Sequence, residues 1–447
     1  MTSVLSTRPG EGPSPAKTRA TPLWRNLQFQ TLWIGSAASS LGASIADVAY
    51  PLAILTITGS PAKAGLFAAV LMVGMLAGAL PAGQLADRHD RRSVVIAAES
   101  ARAAVTAAVA VGLALGRVSL PLLLTAAALL GIGQAVAGAA RLPLVRAVVS
   151  DSQLTSALVQ EEVRQNGAAL AGPPLAGVLY AVRALSHAAP FLCTAAAFVF
   201  SMLAAVAMKV MPGGDCRPAA LAETAEISGQ TTETTPAGRQ ASAPDTRNSE
   251  PDMFAGIRAL WRAPLVRAAM LLIMIANMIG VGLDLVVIVI LRQEHVPSGT
   301  IGLAIGAGAV GGLAGAPLVK VLHRLRPGVL LLGMGLSWIP VLALLAVPFG
   351  PWWVAGLLFI AMLGVPALRV LIDVLIIRQT PDEQRGRIVA AVMMLISVGM
   401  PAGMAGSGLL LQWLPAQAAM LTLVGILALG VAYCATMPEL LRARWPQ

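Results

Sequence analysis

Apolar residues recur along the chain in runs of about 20 or more, separated by short polar turns. A helix rises about 1.5 Å per residue, so each run is long enough to cross roughly 30 Å of hydrocarbon. The runs lack the alternation of a membrane barrel, and backbone groups in a bilayer must be satisfied within their own segment, which predicts helices. We therefore expect twelve transmembrane helices, at about 30–57, 62–86, 93–115, 119–145, 154–181, 187–211, 264–291, 298–322, 328–348, 352–378, 387–412 and 415–437.

A polar segment at 212–252, rich in Thr, Ser, Pro and Gly, separates the sixth run from the seventh. Such a composition cannot bury a core, so we expect a disordered cytoplasmic linker. The predicted fold class is an all-α membrane protein with twelve helices in two pseudo-symmetric six-helix bundles. The expected domains are an N-terminal tail at 1–28, bundles at 29–211 and 253–438 on either side of the linker, and a C-terminal tail at 439–447.

An internal repeat relates the two predicted bundles. A gapless shift of 237 positions matches Leu23 with Leu260, Trp24 with Trp261, Arg25 with Arg262, Asp47 with Asp284, Gly65 with Gly302, Gly74 with Gly311 and Gly78 with Gly315. Glycine coincidences are common in such a sequence, but a Trp-Arg pair and an intramembrane Asp rarely coincide by chance. Two parallel copies of one unit are typical of carriers whose halves rock about a central site.

The charged residues support a membrane protein and predict its orientation in the bilayer. The chain is 57% hydrophobic and 12% charged, against roughly 25% charged residues in soluble domains. With the N-terminus inside, roughly 24 basic residues, Arg141 among them, face the cytoplasm, and about 4, Arg292 among them, face outward, which satisfies the positive-inside rule. We therefore predict a multi-pass protein of the bacterial inner (plasma) membrane with both termini cytoplasmic. The net charge of +10 follows from this bias and requires no nucleic-acid partner.

The cysteines and histidines indicate no metal site and no disulfide framework. Cys193 and Cys434 lie in apolar runs, Cys216 lies alone in the linker, and the four histidines lack ligand spacing. No nucleophile, base and orienting group fall together on any pair of spans. We expect neither an enzyme nor a cofactor.

The segment between the second and third spans carries the sharpest motif, with Gly83, Asp87, Arg88, Arg91 and Arg92 at its key positions. It resembles the loop signature of the major facilitator superfamily. Gly83 is expected to allow close helix approach, Asp87 to accept bonds from a neighbouring helix end, and the arginines to anchor the loop at the lipid surface. A plain basic anchor is the simpler alternative.

The version with Asp90, where many members have Gly, looks like the branch of macrolide-efflux proteins and the enterobactin exporter. The Leu-Trp-Arg-Asn before the first span and the Thr-Pro-Asp-Glu-Gln-Arg-Gly-Arg-Ile at 380–388 are similar to recurrent segments of that branch. This resemblance implies export of a small organic compound in exchange for protons.

A second motif lies in the fifth span, where Gly167, Gly172, Pro173 and Gly177 are similar to the Gly-Pro motif of antiporters in this superfamily. Proline bends a helix and small residues allow tight contact, so the motif could form a leak-resistant pivot. Ala176 replaces one glycine of the usual pattern. Ordinary Gly and Pro use in a membrane helix remains the alternative.

Asp47 and Asp284 are the leading candidates for proton coupling, because intramembrane acids are costly and by default mark functional sites. The repeat places them on opposite walls of one cavity. The alternative is that each caps or pairs within its own bundle. Some drug/proton antiporters carry an Arg in the fourth span, but the stretch 130–138 has none, which leaves Gln134 as its polar side chain.

Two further pairs can meet on one helix face: Glu99 with Arg102 in the third span, and Arg369 with Asp373 in the tenth. We expect gate or structural ion pairs rather than substrate ligands. Glu161, Glu162 and Arg164 at the start of the fifth span fit the same interpretation.

The sequence thus predicts a secondary active transporter that works by alternating access. We expect proton-coupled efflux of a small amphipathic compound, such as a drug, a macrolide-like molecule or a siderophore. The expected partners are the bilayer, this substrate and protons, with a monomeric state. With only 4% aromatic residues, the cavity is expected to be apolar and roomy. A proton-linked importer or facilitator of a metabolite, and a non-transporting membrane sensor, remain alternatives.

Overall fold

The computed structural model describes residues 23–182, 187–208, 264–322, 324–347, 349–370 and 385–437. The predicted linker 212–252 and the predicted C-terminal tail lie outside these ranges. Within them, the chain forms twelve helices of 12 residues or more: α1 (Leu27–Thr58), α2 (Pro61–Arg88), α3 (Arg91–Ala114), α4 (Leu120–Val148), α5 (Asp151–Ala181), α6 (Ala189–Ala207), α7 (Pro264–Gln293), α8 (Ser298–Gly315), α9 (Pro327–Leu345), α10 (Pro351–Met362), α11 (Arg385–Trp413) and α12 (Ala416–Ala435).

These helices match the predicted spans to within a few residues at most ends. The exception is α10, which ends at Met362, although a further helical stretch continues this candidate span to Val370, short of the predicted 378. A 3₁₀ turn at Leu23–Arg25 precedes α1, and a 3₁₀ turn at Ala316–Leu318 with a one-turn helix at Val319–Leu322 extends α8. Ten of the described helices are long and apolar enough to cross a membrane, and α5 and α11 are not among them. The first half of α5 carries four charged residues, Asp151, Glu161, Glu162 and Arg164.

Short polar turns end one helix and begin the next. After α1, Gly59 adopts a left-handed conformation with φ of 63°, which favours glycine. The Ser60 hydroxyl then accepts a bond from the Lys63 amide, and Pro61 stands at the first helical position, where its missing N–H costs nothing. Such turns alternate the helix direction, so α1 begins and α12 ends on one face, here the terminal face. The opposite face is the far face.

The helices form an N-half (α1–α6) and a C-half (α7–α12). In the N-half, α1 packs on α5 and α6, and α4 packs on α2 and α3; in the C-half, α7 packs on α11 and α12, and α8 on α10. The halves meet along α2 with α11 and along α5 with α8. These two seams lie toward the far face, so the halves close there.

The repeat is visible in these contacts. A Cβ on Gly65 of α2 would lie 2.5 Å from the Met404 carbonyl oxygen of α11, and one on Gly302 of α8 would meet the Pro173 carbonyl oxygen of α5. Gly65 and Gly302 are equivalent under the 237-residue shift, so the same position of each copy makes a seam between the halves. Only glycine permits such backbone approach.

The remaining glycine pairs of the repeat each pack against the backbone of a neighbouring helix in their own half. Gly74 and Gly78 of α2 face the α4 backbone at Ala128 and Ile132, while Gly311 and Gly315 of α8 face the α10 region at Phe359 and Leu363. The two copies therefore share their internal packing as well as their sequence pattern.

Candidate functional site

A cavity of about 500 Å³ lies inside the N-half, next to the terminal face. Its α1 wall carries Ser36, Ser40 and Ser44, which are four residues apart and so share one side of the helix. Asp47 follows on the same wall, one turn deeper. The other walls come from α3, α4 and α5, so polar side chains of four separate helices converge on one cavity.

A buried ionic cluster forms one wall around Glu99 of α3. Arg102 donates to Glu99 at 3.3 Å, to the Ser39 hydroxyl at 3.0 Å and to the Gln134 side-chain oxygen at 2.8 Å. The Ser39 hydroxyl donates to Glu99 at 2.8 Å, and Arg141 also pairs with Glu99. The predicted Glu99–Arg102 pair is present, but it belongs to a network that joins three helices.

Arg141 corrects an inference from the sequence. The stretch 130–138 lacks an arginine, as noted, but α4 continues to Val148, and Arg141 lies inside it, seven residues after Gln134. Residues seven apart share a helix face, so both line the cavity. The sequence interpretation counted Arg141 among the cytoplasmic anchors. The i, i+7 spacing to Gln134 was the signal that could have found it.

Arg164 of α5 forms a second buried ionic contact. Its guanidinium pairs with Glu161 and donates to the Ser36 carbonyl oxygen at 2.7 Å and to the Ser40 hydroxyl. The contact ties α5 to α1 across the cavity wall. With four serines, two glutamines and five charged side chains in its lining, the cavity is polar. The expectation of an apolar cavity is therefore wrong for this large cavity, because composition does not show which side chains face inward.

A smaller cavity of about 60 Å³ lies deeper, between the two halves. Both predicted coupling residues line it, Asp47 from α1 and Asp284 from α7, and their side chains are accessible rather than packed away. Asp47 also lines the large cavity, so it connects the two spaces. Tyr50 and Phe67, stacked with ring centroids 4.4 Å apart, form part of the wall.

Gly83 and Arg92 of the predicted loop motif make contacts that differ from those expected from the sequence. A Cβ on Gly83 would meet open space, so no close helix approach requires this glycine here. Arg92 donates to the carbonyl oxygens of Ala205, at 2.9 Å, and Val206, so it caps the end of α6 rather than extending to lipid. Arg88 is exposed at the end of α2 and Arg91 begins α3, while the Asp87 side chain lies outside the described part of the chain.

Asp90, the motif's unusual residue, caps α3. Its carboxylate accepts bonds from the Ser93 amide at 3.1 Å and the Ser93 hydroxyl at 2.8 Å. Partial burial alone would raise the pKa of Asp90, but these bonds and the nearby Arg92 outweigh it and hold the pKa below its usual value. The carboxylate is thus the stable form.

The antiporter-like motif lies mostly at helix contacts. Gly172 faces Ser44 of α1, and Gly177 faces Ser298 and Gly299 of α8, on the seam between the halves. The Pro173 carbonyl oxygen meets Gly302 on the same seam, whereas Gly167 faces open space. Three of the four predicted positions therefore meet another helix, and two of these lie on the surface along which the halves close.

The second predicted gate pair is not described, because Asp373 lies outside the described residues. Arg369 instead contacts Glu162 of the N-half, with 3.7 Å between the charged atoms, and both side chains are exposed. This is a contact between the halves on the terminal face.

A polar contact between the halves on the far face was not predicted from the sequence. Arg292, at the end of α7, donates to the Thr56 hydroxyl at 2.9 Å and to the Leu52 carbonyl oxygen at 3.3 Å. The Tyr180 hydroxyl of α5 donates to the same Thr56 oxygen at 2.7 Å. Arg292 was counted only as an outward-facing charge, since its partners are uncharged and distant in sequence.

Two halves that close on one side, with a polar cavity toward the other side, form the arrangement of a membrane transporter. The model of the Major Facilitator Superfamily matches residues 32–324 and 270–444, and the chain belongs to this family. Among curated proteins, no sequence matches significantly.

Several solved structures share the fold at low identity. The nucleoside transporter NupG is 14% identical with a TM-score of 0.67, over 92% of this chain and 98% of that one. A bacterial homologue of the iron transporter ferroportin, inward-facing, is 18% identical with a TM-score of 0.64, over 93% and 99%. A bacterial homologue of the lysosomal transporter Spinster, inward-facing and occupied, is 12% identical with a TM-score of 0.68, over 95% and 99%.

Proposed function

We propose that this transporter exports a small amphipathic organic compound from the cytoplasm in exchange for protons. Asp47 and Asp284 exchange the protons, and alternating access moves the cargo past them. The direction of transport rests on the resemblance to the efflux branch, and proton coupling rests on the site.

The observation that carries the proposal is the shared cavity of the two aspartates. Each comes from the first helix of its half, and they line one small space where the halves face each other. Rocking of the halves would expose such a pair to one side of the membrane and then the other. A carboxyl group that meets water alternately on two sides can take a proton from one side and release it to the other.

The walls also suggest how an amphipathic cargo is held. The large cavity offers serine hydroxyls, Gln134 and Gln165 for hydrogen bonds to polar groups. The small cavity is otherwise lined by apolar and aromatic side chains, including Phe67, Leu285 and Met404. A molecule with one polar and one apolar part can occupy both.

The test uses cells that overproduce the protein in a host without its own efflux pumps. Compounds whose accumulation falls are added to inside-out vesicles that carry an acid interior, and proton release is followed with a pH-sensitive dye. We expect cargo to release protons from vesicles with the native protein. Asp47→Asn and Asp284→Asn should each lower this release at least tenfold, while Glu294→Gln, an exposed acid just after α7, should leave it unchanged.

Transport that proceeds equally well without a proton gradient would refute proton coupling. Gradient-dependent uptake into intact cells would replace export by import. A chain that alters the accumulation of no compound would favour the non-transporting sensor.

A further inference from the structure

We propose that Gly138 of α4 determines the size of the cargo, because it leaves room in the large cavity for a bulky, uncharged group that carries hydroxyl or amide functions. This inference rests on the proposed function and narrows its substrate class. It follows from the glycines of α4 and from the polar groups of the cavity that have no partner among the described residues.

Three glycines lie inside α4, and packing requires only two of them. A Cβ on Gly131 would collide with the Leu71 carbonyl oxygen of α2, and one on Gly133 would lie 2.7 Å from the Arg102 side chain of α3. A Cβ on Gly138 would meet no atom within 4 Å. Contacts with neighbouring helices therefore do not explain the third glycine.

Gly138 lines the large cavity. It lies four residues after Gln134 and three before Arg141, and these three residues share the side of α4 that faces the cavity. Glycine weakens the interior of a helix relative to alanine, because it loses more backbone freedom on folding. At this position it provides space, since a larger side chain would extend into the cavity.

The volume suits a bulky cargo group. The cavity measures about 500 Å³, within the range of about 300 to 1,000 Å³ that is typical of sites for small molecules. Gly138 stands in the wall opposite the serines of α1, so a side chain at this position would narrow the cavity between α4 and α1.

The charged side chains of this cavity already have partners. Arg102 and Arg141 pair with Glu99, and Arg164 pairs with Glu161. Asp47, the remaining acid, lies close enough to Arg102 for the two to attract each other. A charged cargo group would leave water without gaining a free partner of opposite charge, which is unfavourable. The balance of charges therefore favours an uncharged group.

The groups that remain free are uncharged. The Ser44 hydroxyl, the side-chain NH₂ of Gln134 and the amide of Gln165 make no hydrogen bond to the described residues, and all three side chains line the cavity. Hydroxyls and amides both donate and accept hydrogen bonds. A purely apolar group would displace water from them and leave them unpaired. Hydroxyl or amide functions on the cargo satisfy them.

The test compares three coumarin glycosides on the purified full-length protein in phosphatidylcholine nanodiscs. They are 4-methylumbelliferyl glucoside, the cellobioside with a second sugar, and the glucuronide, which has the size of the glucoside but carries a carboxylate. Equilibrium dialysis with coumarin absorbance measures binding. We expect both uncharged glycosides to bind, and the glucoside to bind at least tenfold more tightly than the glucuronide.

Substitution of Gly138 tests the role of size. Gly138→Ala, Gly138→Val and Gly138→Leu should weaken binding of the cellobioside progressively, by at least tenfold for leucine, while binding of the glucoside stays within about threefold of native. The matched control is Gly356→Leu, at an exposed glycine of α10 where an added Cβ also meets open space and which does not line this cavity. It should bind both glycosides like the native protein.

Gln165→Leu tests the hydrogen bonds and should weaken binding of both uncharged glycosides about fivefold. Thermal unfolding of every variant separates lost binding from lost folding. Absence of binding by the uncharged glycosides, equal or tighter binding of the glucuronide, or the same effect of Gly138→Leu on both sugars would overturn the inference. The proposed function would survive these results, because it fails only if transport ignores the proton gradient.

Discussion

At the scale of single residues, Glu99 determines how the N-half tolerates its buried arginines. It accepts bonds from Ser39 and Arg102 and pairs with Arg141, and its side chain has no exposed surface. A buried ion pair contributes little by itself, but removal of one partner leaves an uncompensated charge. Glu99 pairs with two guanidinium groups, so its loss deprives both Arg102 and Arg141 of this carboxylate partner.

We therefore expect Glu99→Gln to destabilise the protein by about 3 to 5 kcal/mol. Thermal unfolding in detergent, followed by a thiol-reactive or tryptophan signal, measures the change. The matched control is Glu162→Gln, which breaks the exposed contact to Arg369 and should cost about 0 to 1 kcal/mol. Similar losses in the two variants would show that the Glu99 cluster is not a buried network.

Asp90 provides a prediction with a defined pH dependence. Its lowered pKa means that its contribution to stability is present above the pKa of an unfolded aspartate and is lost as the pH falls through the lower, folded value. Asp90→Ala should cost about 1 kcal/mol at neutral pH, the usual effect of losing a helix cap. Asp90→Asn keeps the acceptor, so its stability should not share the acid-dependent loss. Unfolding curves at neutral and acid pH would distinguish the three proteins.

At the scale of helices, the predicted antiporter motif of α5 contains positions that contact another helix and one position that does not. Gly177 touches α8 across the seam, while Gly167 on the same helix faces open space. The same helix thus supplies its own control.

We expect Gly177→Val to prevent close approach of α5 and α8, since added volume at a packed contact costs about 1 to 3 kcal/mol. Transport should fall at least tenfold, and the far face should open. Gly167→Val should leave transport within about twofold of the native rate, because a new side chain meets nothing there. Vesicle transport assays test both, and equal effects would mean that the seam does not explain the motif.

At the scale of the whole molecule, closure of the far face depends on a few contacts between the halves. Arg292 of the C-half bonds to α1 of the N-half, and the Ser60 hydroxyl donates to the Gln412 side-chain oxygen at 2.7 Å. The Gly65–Gly408 approach lies between α2 and α11 on the same side. Together these contacts favour the state described here, in which the large cavity lies toward the terminal face.

We expect Arg292→Ala to raise the population that is open on the far face about tenfold, since a bond to a charged group contributes about 1.5 to 3 kcal/mol. A cysteine introduced in place of Leu285, which lines the small cavity, reports the opening in a background without the native cysteines. A membrane-impermeant thiol reagent on the far face should label it faster in the variant. Arg117→Ala, an exposed charge after α3, is the control, and unchanged labelling would contradict the role of Arg292.

Much of the architecture could be predicted from the sequence, because it depends on local physics. Apolar run length determines which segments span a bilayer, and the predicted spans agree with α1–α12 to within a few residues at most ends. The 237-residue repeat follows from sequence alone, and it located Asp47 and Asp284 on equivalent helices. The glycines it matched make equivalent contacts in the two halves.

Only the tertiary structure decided what those residues meet. Hydrophobic periodicity is weak in membrane helices, where apolar side chains face both lipid and protein, so the inward side of a helix cannot be read reliably from its sequence. Arg141, counted as a surface anchor, lies in the cavity wall, and Arg292 contacts uncharged groups more than 230 positions away. The polarity of the cavity arises in the same way, from polar residues of α1, α3, α4 and α5 that only packing brings together.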